Sequence, residues 1–310
     1  MNLKKLLLPA ALLLMFVLLA TMTAGIVSSA AGSAPVAENL SLETYRGVSV
    51  GGRLNATDPD GDALTFEVAT PPAKGELDLS SDGRFVYTPA EGKRGKDYFG
   101  FRAVDPDGNR SQEGTVIIKI QKQKSPVAYS DTAGTQSAYA AQRLAEEGVF
   151  TGECVGGVYV FSPDKAVTRQ EFLTMCMCVT GAQALTAAGR TGFADDGDIA
   201  AWARPYVGAA LRSGVVSGVP EAESGVVFDP ERGITVLEAA VMLDRAARLT
   251  DAALTWYEYA GSVPAWAMQS AVNISSCGLL PEGVSFSDPT LSRGDAACML
   301  SAAMDLLARR

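Results

Sequence analysis

Two patterns of hydrophobic and polar positions divide the chain near Gln121. From Pro35 to Gln121, apolar residues alternate with polar ones in short stretches, LTFEV, GELDL, GRFVYTP, DYFGFRAV and TVIIKI, separated by Gly, Pro and Asp. A period of two puts every second side chain on one face of a strand, and short strands at regular spacing predict a β-sandwich. Beyond Val127 the period becomes helical, and one unit recurs three times: a helix stopping at Gly148, Gly214 or Gly278, a loop opening at Phe161, Phe228 or Phe286, and a helix started by Thr168, Thr235 or Ser292. Counted from those starts, offsets 4, 7, 8 and 11 give Phe172, Met175, Cys176 and Val179; Ala239, Met242, Leu243 and Ala246; and Ala296, Met299, Leu300 and Ala303. Each set is one apolar helix face. A single helical hairpin cannot bury such a face alone, whereas three can share a core.

Local signals agree with that period. Each starting Thr or Ser has an acid three residues on (Glu171, Glu238, Asp295), the spacing of a reciprocal capping box, with Asp the weaker closing residue. The three glycines are expected to close the preceding helices in a left-handed conformation. Trp202 and Trp266 each stand twelve residues before their glycine, and Gln136 takes that place in the first copy. The polar stretch QKQKSP ends in Ser-Pro, where a regular element should stop, and is the expected linker. The expectation is an all-β sandwich followed by an all-α module.

The start, MNLKK, then an apolar run from Leu6 to Ala20 and the small residues SSAAGSA, has the layout of a secretory signal peptide, with cleavage expected after Ala30 or Ala34. Left uncleaved, it would be the only membrane attachment the sequence suggests. Of 310 residues 47% are hydrophobic and 20% charged, an ordinary globular balance, and a net charge of −9 argues against nucleic acid as a partner. Five cysteines are an odd number; Cys176 and Cys178 point apart on one helix and cannot pair there. Cys176 lies on the apolar face as a small core residue. Histidine is absent, which removes imidazole zinc sites and the commonest general base.

Three sets of residues carry candidate chemistry. In the sandwich, Asp58, Asp60 and Asp62 (DPDGD) and Asp105, Asp107 and Asn109 (DPDGN) place oxygen donors at alternate positions, a pattern that suits Ca²⁺ and equally suits a tight turn. Neither loop has the glutamate of an EF-hand, its twelfth position being Ala69 or Val116. In the repeats, Arg169 and Arg293 follow the N-cap residues Thr168 and Ser292, where the positive end of the helix dipole disfavours a cation by roughly 0.3 to 1 kcal/mol. A bound carboxylate would gain free helix amides and a bidentate guanidinium there; alternatively each Arg pairs with an acid such as Glu171 or extends into water. Trp202 and Trp266 could stack on a sugar ring or complete a core. A glycan-processing enzyme could use a carboxylate pair such as the adjacent Asp195 and Asp196, though adjacent residues seldom direct their carboxyls to one point.

Through LNATDPDGDALTFEV, PPAKGEL, DGRFVYTPAEGKRGKDYFGF and VDPDGN, residues 35–121 resemble bacterial cadherin-like or immunoglobulin-like repeats. The repeats resemble the surface-layer homology family: YSD, GVFTG, FSP and VTRQE in copy one, FAD, AWA, GVVSG, FDP and ITVLE in copy two, AWA, CGLL, FSDP and LSRGD in copy three. With a leader at 1–34 and a linker at 122–126, the copies are expected at 127–181, 190–249 and 254–310. The resemblance implies a pseudo-threefold helical spindle and a non-catalytic, exported protein. It would be held non-covalently on a pyruvylated secondary polymer linked to peptidoglycan, with Arg169, Arg293, Trp202, Trp266, Thr168 and Ser292 as binding residues. No cofactor is implied beyond calcium in the sandwich, and an adhesion role in which the sandwich edge binds a protein or a glycan is the alternative. The copies depart from the family where ligand would be touched: copy two has Val236 in place of Arg, copy one has no Trp, and copy three lacks the Phe-x-Asp element and has a loop one residue shorter. At most two grooves keep the charged determinant, and attachment by one or two grooves is expected.

Overall fold

A computed structural model describes residues 32–185, 189–222, 225–254 and 263–310; the expected leader lies outside them apart from its last three residues. Nine strands form the first domain: β1 (Val36–Ala37), β2 (Leu40–Tyr45), β3 (Val50–Arg53), β4 (Ala56–Thr57), β5 (Thr65–Thr70), β6 (Gly75–Leu79), β7 (Arg84–Pro89), β8 (Gly95–Val104) and β9 (Gly114–Gln121). One sheet runs β2-β9-β8-β5 with only β2 and β9 parallel, the other β3-β7-β6, and β1 pairs with β4. Alternation along β8 and β9 turns Phe99, Phe101, Val116 and Ile118 inward, each fully buried, against Phe85 and Tyr87 of the facing sheet. The Tyr87 hydroxyl donates to Asp97 at 2.8 Å, and burial together with that carboxylate pushes its phenol up.

The second domain holds α1 (Ala138–Glu146), α2 (Arg169–Val179), α3 (Arg204–Arg212), α4 (Val236–Ala247), α5 (Met268–Ser276) and α6 (Arg293–Ala308). It is not all helical, because a hairpin sits inside each of the first two copies: β10 (Glu153–Val155) with β11 (Val158–Val160), and β12 (Val219–Glu221) with β13 (Gly225–Val227). Gly156 and Gly157 turn the first at φ of 60° and 85°, which sequence reading took for plain loop. Gly148, Gly214 and Gly278 stand at φ 68°, 74° and 66°, and the next amides, Val149, Val215 and Leu279, donate back to Leu144, Ala210 and Ile274 at 2.8 to 2.9 Å. These six-residue closures are Schellman turns. Thr168 and Thr235 close full capping boxes with Glu171 and Glu238, whereas Ser292 caps the Asp295 amide and the Asp295 carboxylate accepts from the Ser292 hydroxyl instead of from its backbone amide.

The residues just before the three caps tie the copies together. The Val167 amide donates to Leu291 O, the Leu291 amide to Ile234 O and the Ile234 amide to Val167 O, at 2.9 to 3.0 Å. This closed ring of backbone bonds is buried at the centre of the module, and Phe161, Phe172, Phe228, Leu243, Met299 and Leu300 of all three copies share one core around it.

The two domains touch. Tyr45 stacks on Tyr139 at 5.8 Å, the Gly134 amide donates to Ser49 Oγ at 2.9 Å, and Arg53 and Arg84 both reach Glu282 at 2.5 and 3.0 Å. Burial, with the charges of Tyr139 and Glu146, pushes the Tyr45 phenol up to about 12.

Candidate functional site

In the loops of copies one and two, one aspartate each does what the Phe-x-Asp element is there to do. Asp131 accepts from the Phe161 and Ser162 amides at 2.9 and 2.6 Å, and Asp195 from the Phe228 and Asp229 amides at 2.8 and 2.7 Å. Those bonds hold Ser162 and Asp229 at φ 56° and 60° and aim the Phe carbonyls sideways at the neighbouring copy. There they meet the arginines.

Arg169 and Arg293 lie inside the protein, 3% and 1% exposed. Arg169, of copy one, donates through Nε to Phe228 O at 2.9 Å, pairs with Glu238 at 2.9 Å and lies 5.3 Å over the Phe228 ring. Arg293, of copy three, repeats this on copy one: Nη1 donates to Phe161 O at 2.8 Å, Nη2 stands 3.3 Å from Glu171, and the Phe150 ring is at 5.1 Å. Each arginine thus reaches the capping glutamate of an adjoining copy. The helix amides expected to be free are bonded as well: those of Arg169 and Gln170 donate to Arg232 O and Pro230 O, those of Arg293 and Gly294 to Lys165 O and Pro163 O. A ligand anion has no place at these helix starts, because a neighbouring loop supplies the carbonyls. Burial lowers the pKa of Arg169 against the opposing pull of Glu238. Burial also works against ionisation of Glu238, but Arg232, Arg169 and the Thr235 amide outweigh it and hold that carboxyl below the usual range.

Exposed chemistry lies beside these pairs. A groove of about 460 Å³ runs from Arg169 and Glu238 past the Val216–Gly218 turn to Trp266 and Arg245. Trp266 is 58% exposed, and Arg245 makes no hydrogen bond or ion pair with any described residue. Sequence reasoning missed Arg245; it stands ten residues after Thr235, where copies one and three have Cys178 and Ala302, so the repeat itself did not mark it. Trp202, 52% exposed, holds the equivalent position two residues before α3. Thr168 and Ser292 serve as caps.

A third groove, of about 520 Å³, has Gln136, Glu282, Asp295 and Cys298 on its walls together with Gly51, Gly52 and Arg53 of the sandwich. An acidic depression of about 610 Å³ collects Asp195, Asp198, Glu221, Asp229 and Glu231. Asp196 turns away from it: its Oδ1 accepts from the Thr191 amide and hydroxyl at 2.7 and 2.6 Å, and those bonds lower its pKa. Asp195 and Asp196 therefore do not converge on one point.

In the sandwich the two acidic turns come close enough to feel each other. Some desolvation, then the charges of Asp58, Asp107, Asp60 and Asp105, raise the Asp62 pKa. Some of their oxygens are committed: Asp58 Oδ1 accepts from the Asp60 and Asp62 amides, Asp105 from the Asn109 amide and side chain, and Asp60 from the Ser33 amide, while Asp58 Oδ2 is buried without a partner among the described residues. Among the described residues no group of three or more His, Cys, Asp or Glu is placed to hold a metal ion. All five cysteines are free thiols; burial pushes those of Cys176 and Cys298 up, the latter to about 12. No helix among the described residues is long and apolar enough to cross a membrane.

Comparison with known proteins matches residues 32–122 to the bacterial cadherin-like domain and residues 192–240 to the S-layer homology domain. The latter assigns the chain to the cell surface, with a cell-wall polymer as the kind of partner. No curated protein matches the chain. Among solved structures, an endo-fucoidan hydrolase of glycoside hydrolase family 107 is 17% identical over 32% of this chain, which spans 14% of that one, with a TM-score of 0.25. The SrpA adhesin of Streptococcus sanguinis is 20% identical over 32% of this chain and 65% of that one (TM-score 0.23). A SusE-like surface-located polysaccharide-binding protein of Bacteroides thetaiotaomicron is 19% identical over 31% and 16% (TM-score 0.23). Likeness at this level carries no argument about this chain.

Proposed function

We propose that this chain, which carries a bacterial cadherin-like domain and an S-layer homology domain, is an exported, non-catalytic surface protein held on the cell wall by its helical module, the three copies acting as a pseudo-threefold unit. The observation that carries this reading is the groove at the junction of copies one and two, where an exposed Trp266 platform of copy three stands beside Arg245, which pairs with no described residue, and the edge of the Arg169–Glu238 pair. An aromatic face takes the apolar face of a pyranose. A guanidinium with no internal partner takes a planar acid, and a pyruvate ketal on a secondary wall polymer supplies one. The closed ring of backbone bonds at Val167, Ile234 and Leu291 supports the threefold reading.

In this reading the buried arginines shape the groove, and Trp266, Arg245 and Trp202 touch the polymer. The test follows from that division. The full chain should sediment with purified walls and not with walls stripped of the secondary polymer. Trp202→Ala, Trp266→Ala and Arg245→Ala should each weaken sedimentation while moving stability by no more than about 0.5 kcal/mol, as exposed substitutions do. Equal binding to stripped walls, or full binding by the triple variant, would overturn the proposal.

A further inference from the structure

The junction between copies two and three differs from the other two at the arginine, glutamate and tryptophan positions of the repeat. Its arginine position is Val236, fully buried; its glutamate position is Asp295; and its tryptophan position is Gln136, which like Trp202 and Trp266 stands two residues before its helix. Gln136 and Asp295, from copies one and three, come together in one groove, whereas Val236 is buried and off its walls. That groove is also the one walled by the sandwich.

The fit is close at one point. A Cβ placed on Gly51 of β3 would lie 3.0 Å from Gln136 Cγ and 3.1 Å from its Cα and Cβ, so the sandwich packs directly on Gln136 and a side chain at 51 would need that residue to shift. Around that point the Gly134 amide bonds Ser49, Tyr45 stacks on Tyr139, and Glu282 of the copy-three turn takes both Arg53 and Arg84. The short linker is tied down too, the Lys124 and Ser125 amides donating to the Glu146 carboxylate at 2.7 and 3.1 Å.

We propose that the third groove is a docking site for the chain's own cadherin-like sandwich instead of a polymer site, so that the two domains move as one rigid body and the module holds the wall through two grooves. A tryptophan at position 136 and a docked sandwich exclude each other. The choice between them sets both how many grooves face the wall and the direction in which the sandwich is presented. Rigid presentation matters because two fixed grooves on one body raise avidity only for polymer that spans them. The valency part rests on the polymer-binding reading above; the docking part does not.

The experiment is therefore free of glycan. Small-angle X-ray scattering and amide exchange are measured on the full chain, on Gln136→Trp and on Glu282→Arg. The unsubstituted chain should scatter as one compact body with a slowly exchanging Gly134 amide. Both variants should increase the maximum dimension and speed exchange at Gly134 by at least about tenfold, as local opening of one interface does. The buried strand amides at Phe99 and Val116 should stay protected, which separates undocking from unfolding. Glu282→Arg lies on the surface and reverses only the charge that Arg53 and Arg84 meet, so it tests docking without crowding the groove. An unsubstituted chain that scatters as two independent bodies would refute docking, as would variants with unchanged dimensions and exchange. Loss of wall binding with docking intact would sink the polymer reading alone.

Discussion

The junctions between copies one and two, and between copies three and one, are built alike, and the junction between copies two and three is not. In the first two an arginine crosses to the adjoining glutamate and Phe carbonyl, and the first helix amides cross to a loop. In the third, Val236 is packed as an apolar side chain, and only the ring bond from Leu291 to Ile234 keeps the pattern. The lesson is that an Arg-to-Val change in a repeat need not weaken it. A buried pair and a well-packed apolar residue are alternative solutions, often close in stability, whereas half a pair is costly.

That asymmetry predicts the largest effect. Arg169→Ala and Arg293→Ala should each lower unfolding free energy by about 3–5 kcal/mol, because Glu238 or Glu171 and a Phe carbonyl lose a buried partner. Chemical denaturation of the full chain reads it directly. Val236→Arg should not behave as a repair: it inserts a long cation where the acceptor is the shorter Asp295, and a loss of about 1–3 kcal/mol is expected from overpacking. A gain in stability from Val236→Arg would mean that the third junction is merely an unfilled copy of the others.

A smaller effect separates the glutamates from Asp295. Because the Glu238 pKa is lowered in the folded protein, its contribution is fully present above the ordinary value of 4.5 and is lost as pH falls through the folded value. Melting points of the native chain should therefore drop on acidification below about 4.5 more steeply than those of Glu238→Gln, which is already deprived of that term at neutral pH. Asp295→Asn should change stability by no more than about 0.5 kcal/mol, since that side chain closes no capping box and meets no arginine. Equal acid limbs for the native chain and Glu238→Gln would erase the distinction between junctions.

The sequence showed the period-two and helical regions, the capped helix starts and the three glycine closures, because each is written in a few neighbouring residues. It did not show where Arg169 and Arg293 point. Their side chains leave their own copy, and the acceptors, Phe228 O with Glu238 and Phe161 O with Glu171, are 59 to 132 residues away in the chain. A cation at a helix start reads locally as an unmet need for an anion, and the need is met internally. The hairpins escaped for a different reason: three-residue strands such as ECV and VYV carry too little alternation to register. Gln136 was legible as a missing tryptophan, but its neighbour Gly51 belongs to another domain, and no spacing rule links the two.

The smallest effect contrasts the arginines with the acidic turns of the sandwich, where the charges have each other for neighbours and form no ion pair with a described residue. The folded state raises the Asp62 pKa, so its sign is opposite to that of Glu238: ionised Asp62 opposes folding, and stability attributable to it rises as pH falls through its folded pKa. Asp62→Asn should raise the melting point slightly at neutral pH and leave it unchanged near pH 3, where the carboxyl is protonated in any case. Since Asp58 Oδ1, Asp60 Oδ2 and the Asp105 carboxylate are bonded to amides and to Asn109, adding calcium or a chelator should not move the melting point of the full chain. A rise with calcium that Asp62→Asn abolishes would show instead that the turns rearrange around an ion, with the unpartnered Asp58 Oδ2 as its first ligand.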